Sequence, residues 1–437
     1  MKLYSSVALQ SPDVLIPSSS IIFERWAVVA CDQYTSQPDY WKEVEEFVGE
    51  SPSTFHMVLP EAYLETPKEE MHSDQVFPTM QAYLSQSVFK KLNGFILVER
   101  KFDKRIRRGL LAAIDLEAYD FNRDSQSLVR ATEGTIIDRL PPRIAIREKA
   151  ELEIPHILVL IDDPKKTVIE PLIGQMDDES TVYDFDLMQG GGHIKGYLID
   201  QKHDHQIVSA LELLKKPEVQ SEKYGVQADA PPLLYAMGDG NHSLATAKAI
   251  WEKNKDHLPE DHPSRFALVE LVNIHNEGIE FEAIHRIIKQ GDADLLNSCK
   301  RYFKNKIGIT ECENFSTMQS VIDATLSGII QFGLFFDGNY FAIEIQSPEH
   351  TLSVGNLQSW LDHALSNKEI EAIDYIHGAD IVHQLGMKCG SAGFYLQGMP
   401  KNALFKSVIR DGALPRKTFS MGEAHQKRFY LECRKIK

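Results

Sequence analysis

Apolar residues come along this chain in short, β-branched runs separated by longer stretches with a helical rhythm. The runs at 26–30, 94–98, 110–116 and 157–161 have strand length, and the first is followed by helix-spaced apolar positions over 40–48. Gln189-Gly190-Gly191-Gly192-His193 reads as a turn entering a strand over 193–199, with a helix over 206–214. The segment 215–232 is polar, carries Pro217, Pro231 and Pro232, and reads as a linker. A strand–turn–helix unit follows: an apolar run at 233–237, a turn at Gly238-Asp239-Gly240-Asn241-His242, and good helix formers over 243–251. Beyond it, 266–274 has the pattern of a buried strand. Helices over 295–302 and 318–326, with strands over 329–336 and 340–345, suggest a small α/β insert, and a last segment starts at 393–396.

This alternation predicts an α/β chain, of the α+β kind with mixed sheets. The expected divisions are an N-terminal α/β region at 1–228, a strand–loop–helix unit at 229–290 and a C-terminal α/β region at 291–437. No internal repeat or low-complexity tract interrupts them.

Composition narrows the function classes. The 437 residues are 43% hydrophobic and 25% charged, ordinary values for a globular chain. The formal net charge of −16 repels phosphate backbones and anionic lipid, so nucleic acid is an unlikely partner without a local basic patch. The five cysteines are scattered and form no C-x-x-C, which points to a reducing cytoplasm rather than to disulfides or zinc. The first twenty residues lack the apolar core of a signal peptide, and no apolar run approaches the ~20 residues of a membrane helix.

The richest stretch chemically is Gly238 to Ser243. Two glycines let the backbone approach a ligand, and a following helix points free N–H groups at it, which suits an anion. The spacing is neither a Walker A loop nor a dinucleotide fingerprint. A plain capped turn would use the same residue types. Asp239, however, would repel a phosphate in its own turn and makes more sense as a magnesium ligand or a base.

Other groups are weaker signals. Arg130, Glu133, Asp138, Arg139, Arg143 and Arg147 form a charged block that is able to hold a phosphate, with a salt-bridged surface as the alternative. His193 follows three glycines, and Asp32 sits after the apolar run at 26–30, where ligands often bind. Cys31 has no activating partner by spacing and reads as a small buried residue.

These stretches carry a resemblance. Gly238 to His242 ahead of an alanine-rich helix resembles the D-G-H-H-R signature of the domain-of-unknown-function 1015 family. Phe55 to Glu61 resembles its F-x-x-V-x-L-P-E segment, and Arg107 to Tyr119 its R-x-G-x-x-A-A-V-D-L-E-x-Y segment. Arg130 to Thr135 with Asp138 and Arg139, Val272-Asn273 with His285-Arg286, and Leu414 to Phe419 match further family pieces in order, across nearly the whole chain.

The family's loop is similar to that of the ParB-like and sulfiredoxin-like superfamily, in which a strand–loop–helix turn binds nucleotide phosphates and whose members include a free-serine kinase. The resemblance therefore implies nucleotide-dependent phosphotransfer or hydrolysis on a small molecule, with nucleotide and magnesium as cofactors. Asp239 and His242 would be the catalytic pair, Gly238, Gly240, Asn241, Arg130 and Arg139 the phosphate ligands, and Asp32, Glu133, His193, His285 and Arg286 further candidates. Two positions depart: the family's first histidine is Asn241, and its arginine, a bidentate phosphate clamp, is Ser243. A non-catalytic ligand-binding or regulatory protein is the alternative, and a ParB-like DNA-binding or nuclease role is disfavoured by the charge.

Overall fold

The computed structural model describes residues 2–135, 140–290, 294–324 and 329–437. The chain forms two compact units, residues 1–279 with 422–437, and residues 280–421. These boundaries differ from the expected divisions after 228 and 290. The Tyr235–Asp239 strand of the strand–loop–helix unit is hydrogen-bonded into a sheet with strands from the first 228 residues, and the chain leaves that sheet only after the Phe266–Asn273 strand.

The first unit is built on an eleven-stranded sheet. Its middle strands are Ile96–Phe102, Arg105–Asp115, Phe266–Asn273, Leu158–Ile161 and Tyr235–Asp239, side by side in that order. The last three read as nearly continuous apolar runs because both faces of the sheet are covered. Alternation assigns the faces: Ile96, Val98 and Leu268 join the core that contains Trp26, Trp41, Phe55 and Met80, whereas Leu97, Ala267 and Val269 join the one that contains Tyr235, Leu244 and Trp251. Pairing is mixed. Leu158–Ile161 runs parallel to Phe266–Asn273 but antiparallel to Tyr235–Asp239, with Leu158 opposite Asp239. That register sets the end of the Tyr235–Asp239 strand beside His156 and Ile157.

The second unit is a seven-stranded antiparallel sheet. Its long strand Phe281–Gln290 pairs with Ile370–His377 and Ser391–Tyr395. The Ser353–Ser366 helix buries Trp360 against Phe332 and Phe394. Among the described residues no helix is long and apolar enough to cross a membrane.

One segment departs from the sequence expectation in kind. Within 215–232, residues Pro217–Tyr224 form a helix with Pro217 in its first turn and Gly225 in the left-handed conformation at its end, φ 65°. The proline that suggested a linker is a helix start, where its missing N–H costs nothing.

Charge is buried within the first unit's sheet. Glu270 is fully buried between Arg107, 3.5 Å from Nε, and Arg428, 3.2 Å from Nε, while Arg428 also pairs with buried Glu432. Gly109 makes the space: a Cβ there would lie 2.4 Å from Glu270 Oε1. Two guanidiniums depend on this carboxylate, so Glu270→Gln should cost about 3–5 kcal/mol of stability. Denaturant titration followed by circular dichroism measures it, and a loss below about 1 kcal/mol would show that the network is not needed.

Candidate functional site

The strand Tyr235–Asp239 ends without a loop of any length. Gly240 alone turns the chain, at φ 79°, and the helix Asn241–Asn254 begins at the next residue rather than at Ser243. Gly240 is required twice, for its left-handed backbone and because a Cβ would stand 2.1 Å from the His156 carbonyl oxygen. Having no side chain, it caps none of the helix's first-turn N–H groups. Asn241 does not cap them either: its amide donates to the Glu133 carbonyl and to Thr135 Oγ1, and Tyr119 donates to its oxygen. With no cap from the N-cap residue, the helix end presents amide dipoles suited to an anion.

Around this turn stand Asp239, Lys427, His156 and Asp32. Lys427 Nζ lies 3.1 Å from Asp239 Oδ2, and the Gly240 N–H donates to Asp239 Oδ1 at 2.9 Å. His156 Nε2 is 3.5 Å from Asp32 Oδ1 and 3.9 Å from Asp239 Oδ1. His156 is only 5% exposed, yet among the described residues neither ring nitrogen has a hydrogen-bond partner. Burial pushes the Asp239 carboxyl up, but Lys427, helped by His156 and the Gly240 amide, overrides it and holds the acid down at about 2. Asp239 is therefore ionised throughout the physiological range.

Lys427 is delivered by its backbone. Arg100 donates to the carbonyls of His425, Gln426 and Lys427 and, at 2.8 Å, to that of Gly191; Arg107 reaches the Gln426 carbonyl at 3.3 Å. Arg100 also lies over the Phe429 ring, 4.8 Å from its centre. Three residues after Lys427, Tyr430 accepts from the Cys31 N–H, donates to its Sγ and sets its ring edge-on to His156. Burial, with the charge of Asp32, pushes the Cys31 thiol up to about 12, so it is no nucleophile.

Beside the turn opens a cavity of about 250 Å³, lined by His156, Ser243, Thr246 and Tyr430 on one side and by Met57, Val76, Phe77 and Met80 on another. The donor set does not fit a resident magnesium ion: Lys427 holds one oxygen of Asp239 and the Gly240 amide the other. Among the described residues no group of three or more His, Cys, Asp or Glu is able to hold a metal.

A family model described as a protein of unknown function, DUF1015, matches residues 15–364. The chain belongs to the DUF1015 family. No curated relative matches it in sequence. Among solved structures it is similar to a conserved hypothetical protein from Pyrococcus furiosus, at 14% identity and TM-score 0.34, over 71% of this chain and 90% of that one. It is also similar to a free serine kinase in complex with AMP, at 12% identity and TM-score 0.38, over 75% and 92%. A third is SbnI with a C-terminal truncation, from Staphylococcus aureus, at 9% identity and TM-score 0.35, over 71% and 82%.

In this DUF1015 protein the remaining sequence candidates are spread widely. Asp32 joins the turn. Gly238 lies in the strand, and His242 is half-buried on the helix's first turn, its carbonyl accepting from Thr246. Glu133 meets Asn241 through its carbonyl. Arg130 is spent elsewhere: buried, it donates to the carbonyls of Ser127, Pro231 and Pro232, and burial lowers it to about 10. Asp138 and Arg139 lie outside the described residues. From the same block Arg143 and Arg147 line the cavity, paired with Glu61 and Glu153.

His193 bridges Asp184 and Asp186, both at 2.7 Å, on a strand surface rather than in a cleft; burial lowers it, but the two carboxylates raise it overall. His285 and Arg286 belong to the second unit. His285 accepts from the Leu396 N–H, stacks on Tyr395 and is lowered by burial to about 4, while Arg286 is buried against Gln358 and backbone carbonyls.

His156 and Lys427 were not foreseen. Pro155-His156 ahead of an apolar run and Lys427-Arg428 near the C-terminus were the available signals, and neither has a spacing that marks a site.

The Asp239–Lys427 pair has a pH signature. The folded pKa lies below the unfolded value of about 3.9, so its contribution to stability is present above about pH 4 and is lost as pH falls toward 2. Asp239→Asn should flatten the decline in denaturation midpoint across that window; an unchanged slope would contradict the pairing.

Proposed function

We propose that the turn at Gly240 supports nucleotide-dependent phosphoryl transfer to a small molecule. The observation that carries this reading is His156: a buried imidazole without a hydrogen bond among the described residues, set between two carboxylates and beside a helix N-terminus and an ammonium. Buried polar groups are normally satisfied within the fold, and one that is not marks a place for a ligand. The superfamily resemblance of the loop agrees with it.

In this reading backbone amides of the helix's first turn, from Asn241 on, receive phosphate oxygens, and Lys427 supplies the cation that the family signature places at Ser243. His242 keeps the charge-stabilising role given it from the sequence. Asp239 is too weak a base to take a proton at neutral pH and serves to anchor Lys427. The base is His156. An acceptor hydroxyl attacks the terminal phosphorus, its proton passes to His156, and the phosphorus–oxygen bond to the departing nucleoside diphosphate breaks. Asp32 and Asp239 lie near enough to balance the charge the imidazole acquires. Five free cysteines fit the expected cytoplasmic location.

Ser243 in place of arginine favours a second reading, a binder without chemistry. ATP calorimetry and an assay of ADP formation separate the two. His156→Gln should lower ADP formation at least 100-fold while leaving ATP affinity within a few-fold, as loss of a general base does. Equal turnover in both forms would remove the base role, binding without turnover in the native protein would favour the binder, and no ATP binding would remove the nucleotide.

A further inference from the structure

We propose that the cavity beside His156 holds the apolar part of the phosphoryl acceptor, which makes the acceptor an alcohol carrying an alkyl or phenyl-sized group; this rests on the phosphotransfer reading. The helix Lys68–Ser85 presents Ser73, Val76, Phe77 and Met80 to the cavity, spaced three, four and seven apart and so on one face. Leu152 and Ile146 add to the apolar wall. An engineered apolar cavity of roughly 150 Å³ takes benzene, so about 250 Å³ has room for a longer chain.

Three observations choose the occupant. The arginines at the cavity are already engaged, Arg143 by Glu61 and Arg147 by the buried Glu153, which it shares with Arg434. A nucleobase set against the wall of Met57, Val76, Met80 and Leu152 would turn ring nitrogens and an amino group on apolar side chains that cannot match them. An alkyl group has none to satisfy, and Met57 and Met80 adapt to its shape. Ser243 lines the cavity as well, so the residue that departs from the family's arginine is also the one that keeps this space open. His156 lies in the wall, where a hydroxyl on the end of an apolar group would meet its unbonded nitrogens.

The test is calorimetry of the full chain with primary alcohols from 1-butanol to 1-decanol, without nucleotide. Affinity should tighten about three- to fourfold per added methylene until the cavity is full at roughly eight carbons. Ser73→Phe, at a half-buried position, should bring the plateau forward by about two carbons, and Val76→Ala should delay it by about one. The two variants are independent, so one that fails to fold leaves the other decisive. Affinity that does not grow with chain length, or the same plateau in both variants, overturns the proposal, as does loss of ATP binding in folded Ser73→Phe, which would put the nucleobase in the cavity. A normal alcohol series in a protein that binds no ATP keeps the apolar occupant and removes the phosphotransfer reading alone.

Discussion

Glu270 is the point on which the first unit's architecture turns. A carboxylate buried in a sheet is tolerated only when cations answer it, and here two do, Arg107 from a neighbouring strand and Arg428 from the C-terminal segment. Because Arg428 cannot leave without stranding Glu270 and Glu432, the segment from 422 onward is held by ion pairs against the sheet that the chain left after Asn273. Arg100 and Arg107 complete the tie by donating to the carbonyls of residues 425 to 427. The same interaction that closes the unit therefore brings Lys427 to Asp239.

At the turn, electrostatics divide the work. Lys427 prevails over the desolvation of Asp239 and keeps it ionised, and the pairing fixes the lysine beside the helix N-terminus. His156 is left with no such commitment. Gly240 permits this closeness, since any side chain there would collide with the His156 backbone. The apolar cavity alongside gives a low-dielectric wall on which these charges act more strongly than they would in water.

Much of this was legible in the chain. Short apolar, β-branched runs placed the strands, as at 94–98 and 266–274, and two glycines ahead of a good helix marked the turn, although the helix proved to start at Asn241 because one left-handed glycine suffices. What sequence did not reveal was partnership over long separation. Arg130 looked like a phosphate ligand because its partners, the carbonyls of Pro231 and Pro232, have no sequence signature. Lys427 looked like one surface lysine among many, because only the buried arginines, invisible as a set, bring it to the turn. Pro217 misled for a different reason: proline signals a linker and a helix start with the same letter.

The central claim is that Lys427 takes the place of the cation missing at Ser243, and moving the charge back tests it most directly. ATP affinity by calorimetry should fall about tenfold or more in Lys427→Met, the scale of a lost charge-assisted contact, and should recover in the double variant Lys427→Met with Ser243→Arg. Unchanged affinity in Lys427→Met, or a loss that arginine at 243 does not restore, would contradict it.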